Sequence, residues 1–320
     1  MRFLSTDEQL AIVDAVDDII SANGGARVAR AWVDGDTAPG LALWAQLAEA
    51  GLMGLRVDEA LGGFGGSTSD LVVVAERLGW HSVPGPMLES IALLPHLVDD
   101  EDRAGLADGT LIGTATVAGI APLALDAHVA NRHYAIAESH VAAADPGGAI
   151  ASIDPARRLF PLTATGSPRD VDPAVIASAV DETTLACAAG LVGTGERLLA
   201  ESVEYAKVRE QFGAPVGQYQ SLKHQLADVR VALSFARPLV WGAALSAGTS
   251  KHSRDVSAAK VAAGAAARLA AQTALQVHGA IGYTREHDVS IWLARAVAHD
   301  QAWGTQEHHR DRIARSLLAS

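Results

Sequence analysis

The sequence predicts a mainly α protein with a small central β domain, in the order helical, β, helical. Three observations carry this expectation. Alanine and glycine are abundant while aromatic residues make up 5% of the 320 residues, which favours closely packed helices over a sandwich of aromatic and β-branched strands. Apolar residues recur at three- and four-residue steps in the first hundred positions and again beyond Asp181, the spacing of one helical face. Between them, from about Gly109 to Val175, the runs TLIGTATVAG, HVANRHYAIAE and AIASI are short, apolar and broken by Gly, Pro and Asp, as strands and turns are. The expected domains are residues 1–108, 109–177 and 178–320, the last a four-helix bundle.

Taken in order, Ser5-Thr6-Asp7 supplies capping residues for a first helix whose Leu10, Val13, Val16 and Ile20 recur behind it. The glycine-rich EALGGFGGSTSD, Glu59 to Asp70, has no clear preceding strand and lacks the lysine of a phosphate loop, so it reads as a loop and helix cap. In QYQSLKHQLADVRVALSFA, Leu222, Leu226, Val229 and Leu233 form one stripe. The next helix, DVSAAKVAAGAAARLAAQTALQVHG, is small-sided, allowing close contact.

A formal charge of −12 repels phosphate backbones and anionic lipid, so neither nucleic acid nor a membrane surface is an expected partner. No apolar run reads as a membrane span, MRFLSTDEQL lacks the apolar core of a signal peptide, and the single cysteine cannot form an internal disulfide. A cytoplasmic chain is expected. Cys187, in LACAAGLVG, reads as an inert core residue.

The most specific segment is YAKVREQFGAPVGQYQSLKHQLADV, Tyr205 to Val229. A helix closes at Arg209, a Phe-Gly-x-Pro turn follows, and a Gln-led helix begins. A guanidinium at such a corner suits an anionic ligand. Together with QVHGAIGYTRE, Gln276 to Glu286, and the N-terminal LWAQLAEAGLMGLRVDEALGGFGGSTSDLVVVAERLG, this segment strongly resembles the acyl-CoA dehydrogenase family. The resemblance covers most of the chain. It implies a dimer of dimers with FAD bound between paired subunits. Arg209, Gln211, Phe212, Gln276 and Gly279 match positions that contact the adenosine diphosphate half of a neighbour's FAD, and Thr305 matches a further FAD-contacting threonine. A sheltered guanidinium–pyrophosphate hydrogen bond contributes about 1.5–3 kcal/mol. Ala280 stands where the family has a second glycine, which narrows the approach of the phosphates.

Other positions depart from the family pattern. Members abstract an α proton with a glutamate while the β hydrogen leaves as hydride to the flavin. Aligning on Gly304-Thr305 puts Trp303 where one such glutamate stands, and an indole cannot accept the proton. At the alternative location the match is Thr183, with Glu182 one residue, or about 100°, away. Thr184 replaces a neighbouring arginine that helps the CoA end. The strands that cover a member's own flavin ring have no counterpart between 109 and 177, which also lacks tryptophan.

The resemblance with these departures implies the non-catalytic member of an α2β2 assembly, like the split dehydrogenases that oxidise steroid side-chain CoA thioesters. Such a chain completes the FAD site of a homologous catalytic subunit, which holds most of the acyl-CoA and passes electrons to an electron-transfer flavoprotein-like acceptor. In this reading Trp303 fills the lost acyl site. Two alternatives stay open: a self-sufficient dehydrogenase using Glu182, Asp300 or Glu307 as base, and a flavin-free scaffold. Glu307 stands where a glutamine often meets the cofactor, and its charge is unfavourable there unless a cation such as Arg310 offsets it.

The stretch HDQAWGTQEHHRDR invites a metal, since His308 and Asp311 are three apart on a helix. Adjacent His308 and His309 diverge, however, and no HExxH or cysteine pattern accompanies them or His299. A polar helix after the Gly-Thr turn is the expectation, with no metal. His224 reads as structural, capping a packed helix face.

Overall fold

The computed structural model describes residues 3–211 and 213–318, so Phe212 lies outside the described residues. The N-terminal part contains α1 (Asp7–Ala22), α2 (Ala26–Val33), α3 (Ala38–Glu49), α4 (Thr68–His81) and α5 (Asp100–Asp108). Thr6 caps α1 as its residue type suggests, accepting from Gln9 N at 3.2 Å while Gln9 Oε1 accepts from Thr6 N at 3.1 Å. Val16 and Ile20 are buried, but Leu10 is 50% exposed. Two successive three-residue steps turn it about 120° away from Val16. Gln9 takes the inward place and donates to Asp70 Oδ1 at 2.8 Å. Ser67 and Asp70 form the same reciprocal cap on α4, so the glycine-rich stretch is a loop and helix cap.

The middle strands are β1 (Gly113–Val117), β2 (Ala124–Leu125), β3 (Arg132–Ile136), β4 (His140–Pro146), β5 (Leu159–Phe160), β6 (Leu162–Ala164) and β7 (Arg169–Asp170). One sheet runs β1-β3-β4-β6 with β7 also on β4, and β2 pairs with β5. The β1–β3 pair is parallel and the others are antiparallel. The AIASI run forms no strand beyond a bridge from Ile150 to Leu159, because Ile150 and Ile153 face outward and bury no side of it.

The C-terminal helices are α6 (Pro173–Val208), α7 (Gln220–Leu245), α8 (His252–His278), α9 (Val289–Gln301) and α10 (Gln306–Leu318), with the short pair β8 (Glu210–Gln211) and β9 (Ala214–Pro215) between α6 and α7. α6 starts inside the stretch expected as β: Asp172 Oδ1 accepts from Ala174 N at 2.8 Å and Pro173 occupies the first turn. Every residue from Asp181 to Glu196 is buried, as expected of a helix surrounded by others. α6 is long and apolar enough to cross a membrane by length and composition, which corrects the expectation that no run is, and 78% of its apolar window is buried within the fold. Packing against α4, α7, α8 and α9 accounts for that apolarity. On α7 Val229 and Leu233 are buried and Leu222 and Leu226 half-buried, one stripe as expected. His224 is exposed on the opposite side rather than capping a packed face, because it sits about 160° from Leu226 and about 140° from Val229 around the helix. α8 buries Ala259, Ala263, Ala266, Ala267, Ala270 and Ala274 against its neighbours.

Candidate functional site

Two places collect the chemistry-bearing residues, and they lie apart. The first is the corner after α6. Arg209 leaves the helix in extended conformation, Gly213 turns the β8–β9 hairpin at φ 82°, and Tyr219 Oη donates to the Gln211 carbonyl at 3.0 Å. The C-terminus of α8 approaches from the other side and stops at Gly279, whose φ of 63° and ψ of −142° suit glycine. Arg209, Gln211, Gln225, Gln276, Gly279 and Ala280 therefore share one cavity of 580 Å³. Arg209, Gln211, Gln276, Gly279 and Ala280 are all solvent-exposed, and the Arg209 guanidinium makes no ion pair among the described residues. Nothing stands within 4 Å of a Cβ built on Gly279, so the backbone is open to a ligand there. Beneath, His278 is buried, bonds through Nδ1 to the Ala274 carbonyl at 2.8 Å and stacks on Tyr205 at 4.4 Å. Sequence reasoning gave no role to this pair, which braces the glutamine–glycine turn.

The second place is the turn between α9 and α10. Trp303 has φ 56°, a left-handed conformation costly for a bulky side chain. Buried groups hold it there. Lys260 Nζ donates to the carbonyls of Asp300 at 3.0 Å and Gly304 at 3.3 Å, and His309 Nε2 meets the Trp303 carbonyl at 2.9 Å. Burial pushes the His309 pKa down to about 4, so the ring is neutral. Its Nε2–H donates to Trp303 and its Nδ1 accepts from Ser257 Oγ at 3.2 Å. Burial also lowers the Lys260 pKa. Gly264 lets α8 come this close, since a Cβ there would stand 2.2 Å from Asp300 Oδ1. Lys260 carried no visible signal in the sequence, because a lysine among alanines reads as the solvent side of a helix.

The Trp303 indole is 4% exposed. Behind it, between α4 and α6, the enclosed space is only 30 Å³, lined among others by Gly79, Cys187, Gly190 and His299. Cys187 is fully buried with its thiol pKa raised by burial. Thr183 is buried as well, its hydroxyl donating to the Ala179 carbonyl at 2.7 Å, and Thr184 is buried beside it. Glu182 points elsewhere, ion-paired with Arg56 at 2.5 Å and His96 at 2.7 Å. Burial raises its pKa, but His96 and Arg56 outweigh that and hold it below the ordinary value, the reverse of what a base acting on carbon needs. Asp300 is engaged by Gln306 at 2.7 Å and Arg268 at 3.3 Å, and Glu307 faces solvent.

Thr305 is exposed at the start of α10, where its Oγ1 accepts from His308 N at 3.2 Å. It does not line the Arg209 cavity. His308 and Asp311 share a face and line another cavity with Arg312 and Arg315, whose guanidinium groups disfavour a cation. His299 and His309 are buried and point into different surroundings. Among the described residues no three His, Cys, Asp or Glu side chains are grouped to hold a metal.

Residues 6–96 match the model of the acyl-CoA dehydrogenase N-terminal domain and residues 174–318 that of the acyl-CoA dehydrogenase C-terminal domain. A curated relative, acyl-CoA dehydrogenase IpdE2 of Mycobacterium tuberculosis, is 33% identical over 307 residues, covering 91% of each chain. This chain belongs to the acyl-CoA dehydrogenase family. Among solved structures of the same fold, one in the ChsE4–ChsE5 complex of Mycobacterium tuberculosis aligns at TM-score 0.85 and 24% identity over 100% of both chains. A Tcur3481–Tcur3483 structure described as a steroid acyl-CoA dehydrogenase aligns at TM-score 0.85 and 21% identity over 98% of both. In this family member, Trp303 occupies the turn into the last helix and the cationic corner is solvent-exposed after α6 and at the end of α8.

Proposed function

We propose that this chain is the non-catalytic subunit of a heteromeric acyl-CoA dehydrogenase, completing a flavin site held mainly by a homologous catalytic partner. The observation that carries the reading is the Trp303 turn: a buried indole, not a carboxylate, stands between α9 and α10. The other acids considered as bases, Glu182, Asp300 and Glu307, are ion-paired, hydrogen-bonded or solvent-facing.

The residues of the outward corner fit the adenosine diphosphate half of FAD. Arg209 supplies an unpaired guanidinium, Gln211, Gln225 and Gln276 supply amides, and Gly279 leaves the backbone open. Bound FAD supplies the hydride acceptor of the reaction. This chain's residues do the holding: Arg209 offsets pyrophosphate charge, the amides orient it, and the Tyr219–Gln211 hydrogen bond fixes the hairpin that carries Gln211. The partner contributes the ring pocket, the proton-accepting carboxylate and most of the acyl-CoA site, with an electron-transfer flavoprotein-like acceptor receiving the electrons. A steroid side-chain thioester is the substrate class favoured by the likeness to the steroid acyl-CoA dehydrogenase structure.

Expression of the chain alone and together with a candidate catalytic subunit separates the readings. Colour and activity only in the co-expressed complex is the expected result. A yellow, active homo-oligomer would refute it, and a colourless complex would favour a scaffold. In the yellow complex, Arg209→Ala is expected to weaken FAD retention about ten- to a hundredfold, read as flavin absorbance after gel filtration. Unchanged flavin content would remove Arg209 from the site.

A further inference from the structure

A cavity of 380 Å³ adjoins the small space behind Trp303, sharing Glu89, Leu125, Arg157 and Trp303 with it, and lies between the segment after β1, the segment before β5 and the end of α9. It shares no residue with the Arg209 corner. Its walls are mostly apolar, with Ile120, Leu123, Leu125, Leu159 and Trp303 among them, and its size is that of a small-molecule site. Among the described residues, one oxygen of Glu89 and the Arg157 guanidinium have no side-chain partner in it. Glu89, on a single π-helical turn spanning Glu89–Leu93, is 5% exposed and its Oε2 makes no hydrogen bond. Among the described residues Arg157 makes no side-chain hydrogen bond or ion pair, although its charge acts on Glu89. The other polar groups in the lining are engaged: Ser152 Oγ accepts from Asp154 N at 3.3 Å and the Gln301 amide donates to Asp300 at 3.3 Å.

A buried carboxyl oxygen and a guanidinium without side-chain partners in one apolar cavity are costly to keep unless something else satisfies them. π-Helical turns of this kind recur at functional sites. The chemistry of the pair narrows the ligand. Arg157 only donates, and Glu89, its pKa raised by burial to about 7, donates when protonated. Two donors lining one cavity match an anionic planar acceptor, and the walls match an apolar body.

We propose that this cavity binds an apolar molecule ending in a carboxylate, its head on Arg157 and Glu89 and its body against Ile120, Leu123, Leu125 and Trp303. The site belongs to this chain alone and does not depend on how the partner's flavin is completed. A linear fatty acid and a polycyclic acid share this chemistry.

Calorimetric titration of the full-length chain, as it purifies, with decanoate, lithocholate and decanol at a pH below 7 tests it. One equivalent of decanoate or lithocholate is expected to bind saturably, about tenfold or more tighter than decanol, and the tighter of the two acids identifies the body the cavity takes. Arg157→Gln should weaken that acid about tenfold or more. Leu123→Trp, which fills the cavity from its apolar wall, should abolish binding without touching the charged end, and so tests the same site if Arg157→Gln unfolds. Absence of saturable binding, equal affinity for decanol, or indifference to Leu123→Trp would overturn the assignment.

Discussion

Gly193→Ala is expected to destabilise the chain by about 3 kcal/mol or more, lowering its melting temperature by about 5–10 °C. A Cβ on Gly193 would stand 1.9 Å from the Glu76 carbonyl oxygen and 2.9 Å from the Trp80 amide nitrogen, and one on Gly79 would stand 2.0 Å from the Gly190 carbonyl oxygen. These obstacles are backbone atoms, which no rotamer change can move aside. α4 and α6 therefore cross with their backbones in contact, joined by the Thr194 hydroxyl donating to the Gly79 carbonyl at 3.2 Å. To admit one methyl group the two helices must separate, and α6 is the helix on which the others pack. The same crossing keeps the space behind Trp303 small, because Gly79 and Gly190 line it. Gly148→Ala is the control: nothing lies within 4 Å of its Cβ position, and a change within about 0.5 kcal/mol is expected. Differential scanning fluorimetry compares the two, and equal melting temperatures would mean that the crossing is looser than described.

Much of this architecture was legible because local rules and tertiary packing agree. Thr6, Ser67 and the Asp172–Pro173 pair mark helix starts by side-chain chemistry alone, although the last of these was read as strand because the β texture ran up to it. The corner residues were legible by resemblance, and the fold brings Arg209, Gln211, Gln276 and Gly279 to one cavity. Thr305 sits elsewhere, at the start of α10. Residues whose role depends on distant elements were not legible. Lys260 reaches across to the carbonyls of Asp300 and Gly304, and nothing in an alanine-rich helix announces it. Arg295 and Asp154, paired at 2.5 Å and both buried, are 141 positions apart. Glu89 and Arg157 line one cavity only because the segment before β5 and the end of α9 come together there. Spacing along a chain reports helical faces and turns; it does not report which faces meet.

Glu89→Gln should make the chain more stable, and only in one pH window. The sign follows from proton binding. The unfolded carboxyl titrates near its ordinary 4.5, while burial raises the folded one to about 7, against the opposing pull of Arg157. Between those values the folded state holds a proton that the unfolded state has lost, so stability falls as pH rises through the interval and is level above it. The full interval corresponds to about 3 kcal/mol. Glutamine has no proton to lose and keeps nearly the same shape. The variant and the wild type should therefore be alike near pH 4.5 and diverge with rising pH, glutamine being the more stable by up to about 3 kcal/mol above pH 7. Asp126, raised by burial to about 6, contributes a similar slope to both proteins and cancels in their difference. Urea unfolding across that range measures the divergence, and parallel curves would mean that the folded carboxyl is already solvated or paired. A buried acid that weakens the fold at neutral pH is the kind of residue retained for what it binds rather than for what it stabilises. Filling its cavity with an apolar carboxylate should raise the unfolding free energy by mass action, in the wild type more than in Arg157→Gln.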